Sequence, residues 1–301
     1  MRKITINLAA VAAFCIVVAS PALVSSSCAT PKTEQEDTTI IREDSGITAL
    51  KYSSPEVPAS IEFCGKTIDL SRFDRHERMD RELLAFTYMH STSLQMLKKA
   101  NRYFPIVEPI LKENGIPYDF KYLMVIESNM NPTARSSAGA AGLWQFMQGT
   151  GRDYGLEVNN NVDERYHIEK ATRAACRYLK DAYAKYKDWV AVAASYNAGQ
   201  ARIASQLAKQ DVDDSLDLQL VEETARYVYR ILAAKQLFNA PTTFGFRLRA
   251  SDLYPPIPYT EVTVTKGIAD LARFARSKGI NLSIFCLLYT SPSPRDMRRS
   301  R

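Results

Sequence analysis

The segment Phe120–Ser128 (FKYLMVIES) limits the fold strongly, because it places one carboxylate on the apolar face of a helix. Phe120, Leu123 and Met124 precede Glu127 by seven, four and three residues, so all four side chains share one helical face. A carboxylate among apolar neighbours loses hydration, which favours its neutral form and raises its pKa. The segment therefore predicts an inward-facing general acid near neutral pH. For an isolated Glu, a helix end that reaches solvent or a hydrogen-bonded core position is the plainer alternative.

Helical periodicity and capping residues predict a mainly α domain over residues 60–240, with few strands. One helix is expected over Arg81–Lys99 and a second from Pro105 to Asn114, while Pro117 and Asp119 begin the helix that carries Glu127. Further helices are predicted at residues 140–150, 164–187, 189–197, 200–208 and 221–237.

The chain changes character after Pro241. Residues 242–248 and 259–264 alternate as strands do, and residues 266–280 have the pattern of a short amphipathic helix. Residues 241–282 are therefore expected to be the start of a truncated α+β extension. Residues 283–301 resemble the end of a conceptual translation that runs into adapter DNA, and we expect a non-native tail; a basic peptide that binds a polyanion is the alternative.

The N-terminal residues 1–27 have the pattern of a secretory signal, with two basic residues, an apolar run over residues 4–18 and then small residues. Two cleavage sites stay open: ordinary cleavage near residues 19–22, or a lipoprotein signal in which Cys28 is acylated, although Ser rather than Leu stands three positions before it. Residues 28–59, rich in Thr, Glu, Ser and Pro, predict a flexible linker. A periplasmic protein, with or without an outer-membrane lipid anchor, is expected.

Composition excludes several classes of function. The formal net charge is +6, but two of these charges lie in the predicted signal and three in the predicted tail, which leaves no basis for a nucleic-acid partner. The three histidines lack metal-ligand spacing and no CxxC occurs, so neither a metal nor a cofactor is implied. Of the five cysteines, Cys64 and Cys176 remain for the folded domain, either as a disulfide or as free thiols.

Three further motifs follow Glu127. Ser136–Met147 (SSAGAAGLWQFM) combines glycines, which permit close backbone approach, with aromatic and amide groups suited to a sugar. Residues 194–199 (ASYNAG) end an apolar helix with an exposed-looking Tyr196 and Asn197. Residues 222–235 open a helix with carboxylates and place Tyr227 four residues after Glu223.

Together with Glu127-Ser128, and in this order, these motifs resemble the lytic transglycosylases, which cut bacterial peptidoglycan. The resemblance covers about residues 60–240 and implies a lysozyme-like α-helical fold without metal or cofactor, acting as a monomer on glycan strands. It implies that Glu127 is the catalytic acid and then base. It also implies a substrate groove formed by Ser136, Gln145, Met147, Tyr196, Asn197, Glu223 and Tyr227.

Several of these residues have structural alternatives. Met147 and Tyr227 suit a core, Gln145 suits a helix surface, and Glu223 suits an N-terminal dipole partner. Trp144, like Phe146, is expected to pack in the core rather than stack on sugar. Two other functions stay open: a hydrolytic muramidase on the same scaffold, and a noncatalytic glycan-binding protein that retains the groove.

Overall fold

The computed structural model describes residues 2–6, 54–160, 162–212, 214–264 and 267–288. Its helices are α1 (Phe73–Tyr88), α2 (His90–Glu113), α3 (Phe120–Ser128), α4 (Gln148–Asp153), α5 (Ile168–Tyr186), α6 (Trp189–Ala198), α7 (Gln200–Gln210), α8 (Glu222–Asn239), α9 (Leu271–Ser277) and α10 (Leu282–Leu288). Its strands are β1 (Arg2–Ile6), β2 (Ser60–Phe63), β3 (Lys66–Asp69) and β4 (Thr260–Val264). The predicted mainly α fold is therefore confirmed.

The predicted leader and linker lie mostly outside the described residues, and Cys28 lies outside them as well. Within the leader, β1 is described and pairs antiparallel with β4. Within the linker, residues 54–59 are described and precede β2 without regular structure. Among the described helices, none combines the length and the apolar character needed to cross a membrane. The signal, the linker and the lipidation site therefore stay predictions.

A β-hairpin opens the helical domain, where the sequence suggested few strands. β2 and β3 pair antiparallel, with Phe63 opposite Lys66 and the turn formed by Cys64 and Gly65. Both turn residues have positive φ (53° and 83°), the pattern of a type I′ hairpin turn, whose twist matches that of the strands. Ile61 and Phe63 point into the core and the intervening Glu62 points outward, so the hairpin covers one side of the helices.

The expected boundary between the first two helices is wrong. α1 ends at Tyr88, because Met89 leaves the helical region (φ −81°, ψ 50°), and α2 runs unbroken through Pro105 and Pro109. Both prolines are exposed and one turn apart, so the missing backbone bonds lie on the face of α2 that water reaches. The pattern Arg81–Lys99 thus spans two helices.

Helix α3 lies at the centre of the domain. Phe120, Leu123 and Met124 are fully buried, as the pattern indicated, but Tyr122 and Val125 are buried too, so apolar neighbours surround the helix rather than one face of it. α2 and α8 pack against it. This position carries Glu127, on the last turn of α3, to the edge of the core.

Helix α8 is joined to its neighbours by ion pairs. Glu82 of α1 is 2% exposed and accepts a hydrogen bond from Arg226 Nε at 2.6 Å. Lys235 Nζ donates to Asp119 Oδ2, at the residue before α3, at 2.9 Å and to Glu62 Oε2 of the hairpin at 2.8 Å. A buried pair is costly to break from one side, because the remaining charge loses its partner. These contacts hold α8 against α1, α3 and the hairpin.

The helix predicted over residues 140–150 is wrong in its first part. Residues 134–147, the glycine loop, form a compact turn with bridges between Arg135 and Ala141 and between Ala141 and Phe146, and α4 begins only at Gln148. Gly142 has a φ of 79° and Gln145 a φ of 47°, values outside the right-handed helical region. The helices predicted at residues 189–197, 200–208 and 221–237 are confirmed within about two residues, as expected for boundaries.

The C-terminal extension is partly as predicted. Residues 242–248 do not form a strand: Pro241–Phe244 is a 3₁₀ turn, closed where Phe246 N donates to the Pro241 carbonyl. β4 lies where a strand was expected, and the predicted helix over residues 266–280 is confined to α9, with α10 beyond it. Ala275 and Phe285 are buried in a small separate cluster between these helices and β4. An α+β segment after the main domain is therefore present.

The two thiols of the domain are both free. Cys64 lies partly buried in the hairpin turn, while Cys176 is buried on α5, and burial raises the pKa of the Cys176 thiol to about 11. Cys176 Sγ lies 3.9 Å from the Ile110 carbonyl of α2. The open question of a Cys64–Cys176 disulfide is thus resolved in favour of free thiols.

Candidate active site

Glu127 stands where helix α3 stops. Asn129 and Met130 both have positive φ (48° and 58°), which turns the chain sharply away after Ser128. Ser128 Oγ donates back to the Met124 carbonyl at 3.2 Å and closes the last turn. Glu127 retains part of its surface toward solvent, whereas its neighbours Ile126 and Ser128 are buried. The carboxyl therefore lies in protein but is open on one side.

Tyr227 of α8 reaches this carboxyl directly. Its hydroxyl donates a short hydrogen bond to Glu127 Oε1, and its ring is 3% exposed. Tyr227, which the resemblance implies as a groove residue, is thus in direct contact with Glu127. Burial is also the main reason that the pKa of Tyr227 lies well above its ordinary value, and the Glu127 charge raises it further. Tyr227 is accordingly a donor at every pH of interest.

Burial raises the pKa of Glu127 from 4.5 to about 7. The hydrogen bond from Tyr227 and the positive charge of Arg230 act in the opposite direction, and the negative charge of Glu223 adds to the rise. Desolvation is the largest of these effects, since the ionised form loses hydration that one phenol does not replace. A carboxyl with this pKa can donate or accept a proton near neutral pH, because its protonated and ionised forms then have similar free energies.

Tyr196 lies deeper than its position at a helix end indicated. It is partly buried, and its hydroxyl donates to the Trp144 carbonyl at 2.8 Å. Its ring packs edge-on against Tyr178 (centroids 5.1 Å apart) and tilted against Phe146 (6.2 Å). Burial sets the pKa of Tyr196 well above its ordinary value, with the Glu127 charge the next contribution. Tyr196 thus joins the glycine loop to α6 beside the carboxyl.

The glycine loop is held by its own side chains. Gln145 Nε2 donates to the carbonyls of Gly142 (2.7 Å) and Ala134 (3.2 Å), which fixes Gln145 in its left-handed conformation. Ser136 Oγ accepts from Ala140 N at 3.0 Å within the same turn. Both side chains therefore order the loop, and neither is directed at Glu127 by the contacts it makes. Trp144 and Phe146 are buried, as expected for core residues.

Arg165 fixes the glycine loop through hydrogen bonds to its backbone carbonyls. It is 5% exposed, pairs with Asp163 at 2.7 Å, and donates from Nη1 to the carbonyls of Gly139 (2.7 Å) and Phe146 (3.0 Å). Gly142 passes so close to the Arg165 carbonyl that a Cβ there would lie 1.9 Å from its oxygen. The loop and the turn at Arg165 are thus fitted together without spare space.

The remaining predicted groove residues lie in different settings. Met147 is 45% exposed, which removes the core alternative for it, and Glu223 is exposed in the first turn of α8. Asn197 Oδ1 accepts a hydrogen bond from Thr224 Oγ1 at 2.8 Å, which joins the end of α6 to α8. The structure therefore brings Glu127, Tyr227 and Tyr196 together and places Glu223 within electrostatic reach of the first.

Two other carboxylates between the glycine loop and α5, Asp163 and Glu164, are engaged in ion pairs. Asp163 is paired with Arg165, and Glu164 is paired with Lys170 and accepts from Glu157 N at 2.8 Å. Within the described part of the chain, no group of three or more His, Cys, Asp or Glu side chains is arranged to hold a metal ion. The site is therefore the Glu127 carboxyl with one phenol donor, and the charge of the exposed Glu223 acts on it.

Sequence reasoning missed Arg165, Thr224 and Arg230. Arg230 follows Tyr227 by three residues on α8, so helical spacing alone would have placed both on the face that meets α3. Arg165 had no comparable signal, because its partners Gly139 and Phe146 are distant in sequence. Thr224 lies within the motif at residues 222–235, but no local pattern indicates its contact with Asn197.

Comparisons with known proteins found matches over the part of the chain that carries these residues. A model of the transglycosylase SLT domain matches residues 105–217, which include α3, the glycine loop and α6. The chain is 28% identical over 212 residues to membrane-bound lytic murein transglycosylase D of Escherichia coli K12, covering 69% of this chain and 45% of that protein. The chain thus spans less than half the length of this relative.

Two further proteins are similar. The peptidoglycan transglycosylase gp16 of Escherichia phage T7 is 31% identical over 138 residues, which cover 44% of this chain and 10% of gp16. Among solved structures, an inactive mutant of the lytic transglycosylase Slt from Pseudomonas aeruginosa matches with a TM-score of 0.40 and 20% identity, over 52% of this chain and 26% of Slt.

Proposed function

We infer that this protein is a peptidoglycan lytic transglycosylase. The inference is supported by the match to the transglycosylase SLT domain and by the homology to a lytic murein transglycosylase. The substrate bond would be the β-1,4 link from N-acetylmuramic acid to N-acetylglucosamine, cleaved without water. The observation that carries this proposal is Glu127, a solitary, partly accessible carboxyl whose pKa of about 7 fits both proton transfers.

In the first step Glu127, protonated, gives its proton to the glycosidic oxygen as the bond from the muramic acid C1 breaks. The substrate's N-acetyl group stabilises the cationic carbon. This role of the substrate fits a site in which Asp163 and Glu164 are both engaged in ion pairs, since two-carboxylate glycosidases need a second free carboxylate near the acid.

In the second step the ionised Glu127 removes the proton from the muramic acid O6 hydroxyl, and O6 bonds to C1 to form a 1,6-anhydro ring. The proton returns to Glu127, so the enzyme is restored without consuming water. An attacking hydroxyl within the same sugar has a high effective concentration once the ring is held in place. A burial-raised pKa serves this step too, because it makes the carboxylate a stronger base than a solvated one.

Tyr227 supports the cycle by orienting the carboxyl. Its hydroxyl donates to Oε1, which leaves Oε2 as the oxygen that exchanges protons with substrate. Met147 on the rim of the glycine loop, Tyr196, Asn197 and Glu223 would line the groove. For Ser136 and Gln145 the contacts favour a different contribution, namely to hold the shape of the loop.

A hydrolytic muramidase is the second candidate, and Glu223 is the observation that favours it. Its charge acts on Glu127, so it is the one described carboxylate besides Glu127 that is both exposed and coupled to the site. In that scheme Glu223 would position a water molecule as the second carboxylate. A noncatalytic glycan-binding protein is disfavoured, because a desolvated carboxyl costs stability and its raised pKa has no evident use in binding alone.

The experiment that tests the proposal is mass spectrometry of the products released when purified protein is incubated with peptidoglycan sacculi. Products lighter by one water, without a reducible muramic acid end, support the lyase, whereas reducible ends identify a muramidase. Glu127→Gln is the matched control, since the amide is nearly isosteric and transfers no proton. Release by this variant at the wild-type rate would contradict the assignment of Glu127.

We also propose that the protein acts in the periplasm, reached through the signal at residues 1–27, and that Cys28 is the site of an outer-membrane lipid anchor. Metabolic labelling with a fatty-acid analogue tests the anchor. Loss of label in Cys28→Ala would support it, and export without label in the wild type would favour ordinary cleavage near residues 19–22.

A further inference from the structure

A cavity of about 180 Å³ opens between α7, the first turn of α8 and the segment before α8. Its walls are formed by Arg202 and Gln206 of α7, Gln219 and Leu220 before α8, Val221 and Thr224 at the start of α8, and Ala198. Thr224 precedes Tyr227 by three residues, about 4.5 Å along the helix axis at ~1.5 Å per residue. The cavity therefore adjoins the candidate active site on the side of α7.

Arg202 is the only charged side chain among the residues that line the cavity. Arg202 makes neither an ion pair nor a hydrogen bond with any described residue, and none of the lining residues is acidic. The nearest acidic residues in sequence, Glu222 and Glu223, follow the lining residue Val221, and Glu222 is paired with Arg81. Arg72 and Arg173, which are also exposed, are by contrast paired with carboxylates. Arg202 is thus available to an anion from outside.

The amide groups of the cavity are arranged to donate. Gln210 Nε2 donates to Gln206 Oε1 at 2.8 Å, which occupies the Gln206 oxygen and leaves its amide nitrogen as a donor. Gln210 also exchanges two hydrogen bonds with the Gln219 backbone (2.7 and 3.0 Å), so the segment before α8 is fixed against α7. A guanidinium next to an amide donor suits a carboxylate, whose oxygens only accept.

We propose that this cavity, the Arg202 pocket, binds a free carboxylate of the peptides carried by murein strands, and this rests on the proposed function. The pocket, of about 180 Å³, has room for a carboxylate together with the side chain next to it. Leu220, Val221 and Ala198 supply an apolar wall for a small aliphatic side chain next to that carboxylate. The glycan would lie along Glu127 while a peptide from the same strand reaches Arg202.

The first test measures binding and needs no catalysis. The full chain is titrated with N-acetyl-D-alanyl-D-alanine and with its neutral carboxamide, and binding is followed by NMR at millimolar concentration. The acid should bind about tenfold more tightly than the amide, because a charge-assisted hydrogen bond is lost in the amide. The Arg202→Gln variant should bind both equally, whereas Lys209→Gln, which removes one exposed charge from the same helix, should keep the difference.

Equal affinities of the wild type for acid and amide, or a difference that survives Arg202→Gln, would overturn the proposal. Arg202→Lys is a further variant, since it keeps the charge without the planar fork and should retain part of the preference. Arg202 is exposed, so Arg202→Gln should fold, which an unchanged unfolding temperature verifies.

The second test joins the pocket to catalysis. Cleavage is compared on murein with its peptides and on glycan strands whose peptides have been removed. Arg202→Gln should raise KM about tenfold on the first substrate, with kcat retained, and change nothing on the second. An equal effect on both substrates would contradict peptide binding. If the wild type cleaves neither substrate but binds the acid more tightly than the amide, the proposed function is wrong, while carboxylate binding by the Arg202 pocket remains supported.

Discussion

The hydroxyl of Tyr227 donates a hydrogen bond to Glu127 Oε1, across the contact between α8 and α3. One carboxyl oxygen is thereby fixed and the other is left toward the open side of the site. Because burial raises the pKa of Glu127 while this hydrogen bond lowers it, the acid is held at a pKa of about 7 by opposing effects. Either effect can be altered separately by mutation.

Glu127→Gln should abolish cleavage and stabilise the protein at alkaline pH. The pKa of Glu127 rises from 4.5 in the unfolded chain to about 7 in the fold, so above pH 7 the native state carries a poorly hydrated charge. At pH 8 this costs at most about 3 kcal/mol, which the amide avoids; below pH 4.5 both states are protonated and the cost vanishes. Urea unfolding at pH 8 and pH 4.5 measures the difference. A gain in stability that is equal at the two pH values would show that the Glu127 charge is not its source.

Tyr227→Phe should move the alkaline limb of the activity profile upward. The limb of kcat/KM should lie near pH 7 in the wild type, since Glu127 must be protonated to act as the acid. Removal of the phenol removes a hydrogen bond to the ionised form, so the pKa rises and the limb shifts to higher pH, with lower kcat from a less well oriented carboxyl. A fall in kcat with the limb unmoved would mean that the phenol orients Glu127 without setting its pKa. Tyr229→Phe, also buried on α8, is the matched control.

Tyr196→Phe should cost stability as well as activity. The change leaves the Trp144 carbonyl without its donor at 2.8 Å, worth about 1 kcal/mol for a neutral hydrogen bond. The glycine loop should then loosen next to Glu127, and turnover should fall. Denaturant unfolding and initial rates measured on the same preparation separate the two effects. Unchanged stability with reduced turnover would favour direct contact of the hydroxyl with substrate.

Gly142→Ala should disrupt the domain far more than Gly139→Ala. Both glycines have positive φ (79° and 89°), so each alanine carries backbone strain of about 1 kcal/mol. At position 142 the new methyl would also lie 1.9 Å from the Arg165 carbonyl oxygen, whereas at position 139 it meets nothing within 4 Å. We expect a loss of more than ~3 kcal/mol in the first variant only, measured by thermal unfolding. Similar losses in both would mean that the loop moves away from Arg165 easily.

The core of the domain was predictable because its helices are long and periodic. Phe120, Leu123 and Met124 are buried as their spacing required. The same reasoning placed a helix start at Pro105, but α2 continues through this residue. Pro105 is tolerated inside the helix because it lies on the exposed face, where water can hydrogen-bond the carbonyl that a proline leaves without a partner. The hairpin had a readable signal in the alternation of Ile61 and Phe63 before Gly65 that was not used.

The sequence motifs indicated candidate residues for the site, but not the contacts between them. No local pattern indicates the contact of Tyr227 with Glu127, because 100 residues separate the two in sequence. A helix was expected over part of the glycine loop, but the loop is not helical. Arg165 binds its backbone carbonyls from a distant part of the sequence, and Gln145 has a positive φ. Tertiary contacts of this kind produce no periodic pattern of hydrophobic residues from which they could be predicted.

The ion pair of Lys235 with Asp119 lies on the same pair of helices as the contact of Tyr227 with Glu127. Glu127 follows Asp119 by eight residues, and Lys235 follows Tyr227 by eight. The two contacts, called rungs here, are therefore separated by the same number of residues on both antiparallel segments. Inserting or deleting one residue between the rungs would rotate the helix beyond it by about 100° and separate one pair. The number of residues between the rungs, more than their identity, therefore sets where the acid meets its phenol.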